Sequence, residues 1–379
     1  MHAVKNDRLT KTNLDSESRV NNREKEKCEN LEVKFNIHTN SSDVLLKWFD
    51  NRLDTTKNEV LEQAGTKIMA AIVEDTIEGL DVTTFSDEMK KFRSNDFSKS
   101  DPYGLELAWL QRDKTSLLLN KVKKYSFDER IIDKIKLYFP TYGILAVTCN
   151  VYFVLTGWEY GDAMVCKITE VGNCYSITEQ GEPIIIINLS IITKLYGKDN
   201  NKLINEVISN LMLHELFHLV FDEYKKMSSY WECNRSTTKI GQLVELIQNE
   251  GIAHYLSNNQ NKSLNENYNG TNDLKNYERE AFKQLEIAVK QLFDGSLGDK
   301  EKENVLMNAD CGKYWNKFGA ISGKFMAYHI EKRFGAQAIQ ESLLKGPYRF
   351  IELYKKVQAE NEILPKLPAG VLKLLVDEH

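Results

Sequence analysis

Between Leu203 and Leu219 apolar residues recur at three- and four-residue spacing, and the stretch ends in the run LMLHELFHLVF, residues 211–221. That period predicts a helix. KDNN offers an Asn or Asp cap ahead of it, and Lys225 and Lys226 suit its C-terminal end. A helix this apolar wants to be buried, yet it carries His214, Glu215 and His218 in the pattern H-E-x-x-H. Residues four apart share a helix face. His214 and His218 therefore point the same way and can grip one metal ion, with Glu215 beside them to take a proton from an activated water.

Zinc catalysis needs three protein ligands and one open position. A His six residues after the second ligand, preceded by a Gly at three, is excluded because those positions hold Tyr224 and Phe221. A Glu on a second helix fits better, and the predicted helix from about Lys239 to Leu256 carries NEGIAHYL, residues 249–256. Glu250 is the candidate there, with Glu245 as competitor.

The rest of the chain organises around this pair. Residues 1–36 are polar and mixed in charge, which predicts a disordered tail. Residues 37–140 form a helical N-terminal region: DVLLKWFDNRL, NEVLEQAGTKIMAAIVEDTI, LAWLQRDKTSLLLNKV and ERIIDKIKLYF all carry helical spacing. From 141 to 379 runs a third region. It opens with β-branched and aromatic stretches, AVTCNVYFVLTG and EPIIIINLS, joined by turn-rich sequence that reads as a β-meander. It closes with helices, and the Asn-rich segment before them reads as a mobile loop. The expected fold is therefore α+β and mostly helical.

Composition narrows the function. Lys and Arg total 50 against 55 Asp and Glu, so no basic surplus points to nucleic acid or an anionic membrane. The first thirty residues contain no apolar core of a signal peptide. No run reaches the roughly 18 apolar residues of a spanning helix. These features predict a soluble, cytoplasmic protein. Six cysteines without any C-x-x-C pair predict free thiols rather than a zinc ribbon.

HELFH followed by Asn249-Glu250-Gly251-Ile252-Ala253-His254-Tyr255 resembles the gluzincin metallopeptidases. The second motif is similar to the N-E-G-x-A-x-Y helix of M1-type aminopeptidases and of bacterial zinc-dependent peptidases of the same clan. The likeness spans about residues 145 to 355, and its specific part is the two motifs. It implies a zincin-like fold: a small sheet, an active-site helix and a helical C-terminal lobe. It implies zinc held by His214, His218 and Glu250, Glu215 as general base, and a peptide or protein substrate extended along an edge strand at Ile184 to Leu189. Tyr255, Tyr314, Tyr328, His254 and His329 are candidates to stabilise the oxyanion, and Tyr328 is favoured. Two departures from the family matter. The acidic clamp for a free substrate N-terminus is absent, which favours an endopeptidase. His254 stands where some relatives have an Asp that orients a ligand His, leaving Asp222 as a substitute. The competing reading is a zincin-fold protein that binds metal in a regulatory role without turnover.

Overall fold

The computed structural model describes residues 31–377, except 51–55, 78, 94–100, 141–144, 158–160, 198, 235, 259–270 and 312–315. The chain is α+β and mostly helical, as expected. A mixed sheet of five described strands sits among the helices: β1 (Leu31–His38), β2 (Leu145–Val154), β3 (Ala163–Val171), β4 (Cys174–Ile177) and β5 (Glu182–Asn188), in the spatial order β1-β2-β5-β3-β4. β1, β2 and β5 run parallel; β3 is antiparallel to β5 and to β4.

Before β2 come α1 (Asn40–Phe49), α2 (Lys57–Leu61), α3 (Ala64–Thr76), α4 (Val82–Arg93), α5 (Leu105–Val122) and α6 (Asp128–Lys136). After β5 come α7 (Leu189–Tyr196), α8 (Ser209–Met227), α9 (Ser229–Cys233), α10 (Lys239–Asn258), α11 (Thr271–Phe293), α12 (Asp299–Asp310), α13 (Phe318–Phe334), α14 (Ala336–Glu360) and α15 (Ala369–Asp377). A single turn, Asn200–Lys202, and a π-helical stretch, Leu203–Ile208, lead into α8. The Asn-rich loop expected near 257–273 lies largely outside the described residues.

Three sequence expectations need correction. Residues 31–36 of the predicted tail belong to β1, which pairs in register with β2 from Leu31↔Leu145 to His38↔Tyr152. The short run LEVKFNIH alternates apolar and polar residues, a strand signal hidden by its polar surroundings. The strands do not form a meander, because β5 inserts between β2 and β3. For the same reason β5 is no edge strand, and a substrate cannot pair along Ile184 to Leu189. Four consecutive isoleucines are the cause. Ile184 and Ile186 face one side, Ile185 and Ile187 the other, and all four are buried, the mark of a strand covered on both faces.

Each face of the sheet has its own cover. Ile184, Ile186, Val154 and Ile168 pack on Ile68, Met69 and Ile72 of α3. Ile185, Ile187, Val151 and Phe153 join the main core, which holds Leu213, Leu216, Phe217 and Val220 of α8. The N-terminal helices thus share the sheet with the downstream region. α8 is buried on most sides, which fixes the one polar face it has left. No described helix is long and apolar enough to cross a membrane. The described cysteines, Cys149, Cys166, Cys174, Cys233 and Cys311, are free thiols.

α10 packs on α8 and crosses α13 at close range. Gly251 and Gly323 meet at that crossing, where a Cβ on Gly323 would lie 2.8 Å from Gly251 Cα. The glycine after Glu250 is therefore a packing requirement: only bare backbone lets the two helices come this close.

Candidate metal centre

His214 and His218 project from the polar face of α8, one turn apart, and their Nε2 atoms stand 3.0 Å from each other. α10 brings Glu250 opposite them. Its Oε1 is 3.3 Å from His218 Nε2 and its Oε2 3.6 Å from His214 Nε2. Ligands bound tetrahedrally at about 2.0–2.1 Å from zinc stand roughly 3.3–3.4 Å apart. The three separations bracket that value.

The far side of each imidazole is engaged. His218 Nδ1 donates to Asn249 Oδ1 at 3.2 Å, since that oxygen can only accept. His214 donates to the backbone carbonyl of Ala253. With their outer nitrogens protonated, both rings present lone pairs inward, toward each other and toward a carboxylate. Three acceptors converging at 3.0–3.6 Å repel unless a cation lies between them. Burial holds His214 and His218 below the ordinary histidine range, keeping them neutral, as metal ligands must be. Asn249 thus makes the contact to His218 expected of Asp222. Asp222 points to Lys167 instead, at 3.6 Å.

His254, one turn beyond Glu250, forms the next part of the wall. Its ring centroid is 4.4 Å from that of His214, and its Nε2 is 3.9 Å from Glu250 Oε2. The ligand atoms of His214, Glu250 and His254 fall within 4.8 Å of one another, so a second donor triplet shares two members with the first. The set completed by His218 is tighter, and its imidazoles are oriented by partners; it is the better cage. Glu245, the competing carboxylate, bonds Lys225 at 2.8 Å and stands apart from the cluster.

Glu215 is 7% exposed. Burial pushes its carboxyl well above the usual range, and the charges of Glu250 and Asp162 push the same way. Burial raises Glu250 to about 7. Asp310, the last residue of α12, hydrogen-bonds Glu250. Burial, then the Glu250 charge, raises it to about 6. Lys317 Nζ lies 3.6 Å from Asp310 Oδ1. Burial thus favours the protonated forms of Glu215, Glu250 and Asp310, and a cation bound among them would favour the ionised ones. The donor set and the separations fit zinc.

Asp310 and Lys317 escape sequence reading because they lie sixty residues or more past Glu250, with no spacing rule to find them. Tyr328 is 43% exposed and packs on Tyr255, His329 and the Lys332 side chain, so its described contacts lie outside the cluster. As α13 runs on past Gly323, it carries Tyr328 toward Tyr255 instead. His329 packs at a tilt on Phe325 and edge-on to Tyr328, and Tyr314 lies outside the described residues.

β3 passes close by. The Glu215 charge is felt at Cys166, whose thiol burial pushes up to about 12. β4 pairs with β3 only from Ile168 to Val171. The Asp162 carbonyl accepts from Asn188 on the β5 side, and the Lys167 carbonyl from Thr178 on the other. Alternation then turns the main-chain groups of Ala163 and Val165 away from β5, where no described strand pairs with them.

An outer hydrogen bond to a ligand histidine typically matters 10–100-fold in metal affinity. Asn249→Ala is expected to weaken zinc binding by roughly that factor, measured by competition with a chelating dye; unchanged affinity would remove Asn249 from the site.

The sequence matches the model of a family described as "Putative zinc dependent peptidase (DUF5700)" over residues 58–362. No curated protein matches the chain, and no solved structure does.

Proposed function

The chain belongs to the zinc-dependent peptidase family whose model it matches, and on that premise we propose that it is a gluzincin-type endopeptidase acting through His214, His218, Glu250 and Glu215. The observation that carries the reading is the convergence of two inward-facing imidazole lone pairs and the Glu250 carboxylate at zinc-ligand separations, with buried Glu215 next to them. A zinc ion bound there would supply Lewis acidity toward water and the scissile carbonyl.

The protein's own groups do the rest. His214, His218 and Glu250 would hold the ion, and Asn249 and the Ala253 carbonyl would fix the two rings. Glu215, its proton affinity raised by burial, would take the proton of the attacking water and pass it to the amine nitrogen as the C–N bond breaks. The peptide would lie extended along β3, pairing with the main-chain groups of Ala163 and Val165 that no described strand takes up. An internal stretch of chain fits such an edge. The non-catalytic alternative has no need of a carboxyl with raised proton affinity beside the ligands.

The test is hydrolysis of unfolded casein by zinc-loaded protein, lost with 1,10-phenanthroline and restored by added zinc. Zinc-replete protein that leaves casein and a mixed peptide library intact would favour the regulatory reading.

A further inference from the structure

A polar cavity opens on the same two helices that carry the zinc donors. It encloses about 340 Å³, and its charged lining is Lys167 of β3, Asp222, Lys225 and Lys226 of α8, and Glu245 of α10. None of these groups has a part in the hydrolysis described above. We propose that the cavity is a substrate subsite for an acidic side chain, aspartate or glutamate, about two to three residues from the scissile bond. The inference rests on the peptidase reading above and names the substrate class of that same site.

The cavity continues the metal centre along one groove. His214, His218, Asp222 and Lys225 recur at three- and four-residue spacing, so they line one face of α8. α10 runs antiparallel beside them: Asn249 meets His218, and Glu245, one turn earlier, meets Lys225 at 2.8 Å. At a rise of about 1.5 Å per residue, Asp222 lies about 6 Å and Lys225 about 10 Å beyond His218. An extended peptide advances about 3.3 Å per residue, which sets the separation from the bond being cut. β3 leads to the same place. Ala163, Val165 and Lys167 alternate onto one side of the sheet, where Ala163 and Val165 pack on the core that includes α8. The length of β3 that no described strand takes up ends at Lys167, whose carbonyl accepts from Thr178. A peptide following that edge reaches Lys167 at the cavity.

The arrangement of charge selects the occupant. Three ammonium groups face two carboxylates, and the most buried of the five is a cation. The Lys225 side chain is 15% exposed, against 27% for Glu245 and 42% for Asp222. Its ammonium lies 4.4 Å from the centre of the Phe221 ring and 5.0 Å from that of Trp231. It gives one of its three N–H donors to Glu245. Lys167 stands 3.6 Å from Asp222, beyond hydrogen-bond length, so its ammonium can turn to an incoming carboxylate. Lys226, the most exposed of the lining charges, pairs with Glu223 in a surface contact of little worth. An acidic side chain would thus meet Lys225 at the floor and Lys167 at the wall, with charge-assisted hydrogen bonds available from both. A basic side chain would meet the same cations, and an apolar one would strip water from charged groups without replacing their bonds. The volume is at the lower end of the roughly 300–1,000 Å³ of small-molecule sites, enough for one side chain of a peptide.

The test gives zinc-loaded wild type, Lys225→Met and Lys167→Glu a mixed peptide library, with the cuts read by mass spectrometry, and then a matched pair of peptides bearing Glu or Gln at the preferred position. Wild type is expected to enrich Asp and Glu at one position about two to three residues from the cut. Its kcat/KM should favour the Glu peptide about tenfold, the worth of one hydrogen bond between charged groups. Lys225→Met is expected to lower that ratio to about two or less, and Lys167→Glu to reverse it. Should Lys225→Met fail to fold because Glu245 has lost its partner, the more exposed Lys167→Glu decides alone. Cleavage by wild type without an acidic preference, or a preference unchanged in Lys167→Glu, would overturn the subsite and leave the peptidase reading intact. Zinc-replete wild type that cuts no peptide in the library would sink both.

Discussion

Glu215→Gln is expected to lower kcat about a thousandfold while zinc content stays at one per chain. The two side chains have nearly the same shape, so the substitution keeps the packing of a residue that is almost fully buried. What disappears is the ability to take a proton. General acid–base catalysis contributes typically 10²–10⁴-fold, and here one carboxylate serves both halves of the reaction. Glu215 is not among the three converging donors, so metal affinity should change little. Elemental analysis and casein hydrolysis on the same preparation check both halves of the prediction. If the variant keeps wild-type turnover, another group is the base.

Gly323→Val is expected to destabilise the fold by about 3 kcal/mol or more, the upper range for overpacking a tight contact. A Cβ at that position meets the Ile247 carbonyl and lies 2.8 Å from Gly251 Cα. Both obstacles are helix backbone, which cannot rotate aside as a side chain can. α10 and α13 must separate, and Glu250 sits one residue from the contact. Thermal unfolding should shift down by roughly 5–10 °C, and zinc affinity should fall with it although residue 323 touches no ligand. Exposed Gly295, where a Cβ meets nothing within 4 Å, is the control: Gly295→Ala should leave both unchanged. A Gly323→Val protein as stable as wild type would mean that the α10–α13 crossing does not set the position of Glu250.

Parts of this architecture are legible in the sequence for local reasons. The α8 period, its two histidines one turn apart and the NEG motif all lie within single helices, where spacing translates directly into facing. The helical character of most of the chain follows from the same rule. Other features depend on the order of strands and the return of distant segments. The isoleucine run of β5 does announce burial on both faces, but reading it as an edge strand ignores that signal. β1 is short and follows a polar stretch, and its partner lies over a hundred residues away. Asp310 and Lys317 reach the site only because α12 and α13 fold back over α10. Tyr328 shows the opposite error: a residue of suitable chemistry on the right helix, carried past the pocket by the helix turn.

The family match covers residues 58–362 and so includes every residue assigned a role in hydrolysis. Zinc stoichiometry decides whether His214, His218 and Glu250 form a cage. Wild type and Glu250→Ala would be purified in parallel, exposed to zinc, freed of loose metal and measured by elemental analysis. The cage predicts about one zinc per chain in wild type and a sharp loss in the variant. Equal zinc in both would remove Glu250 from the cage, and no zinc in wild type would mean that the three side chains form no zinc site.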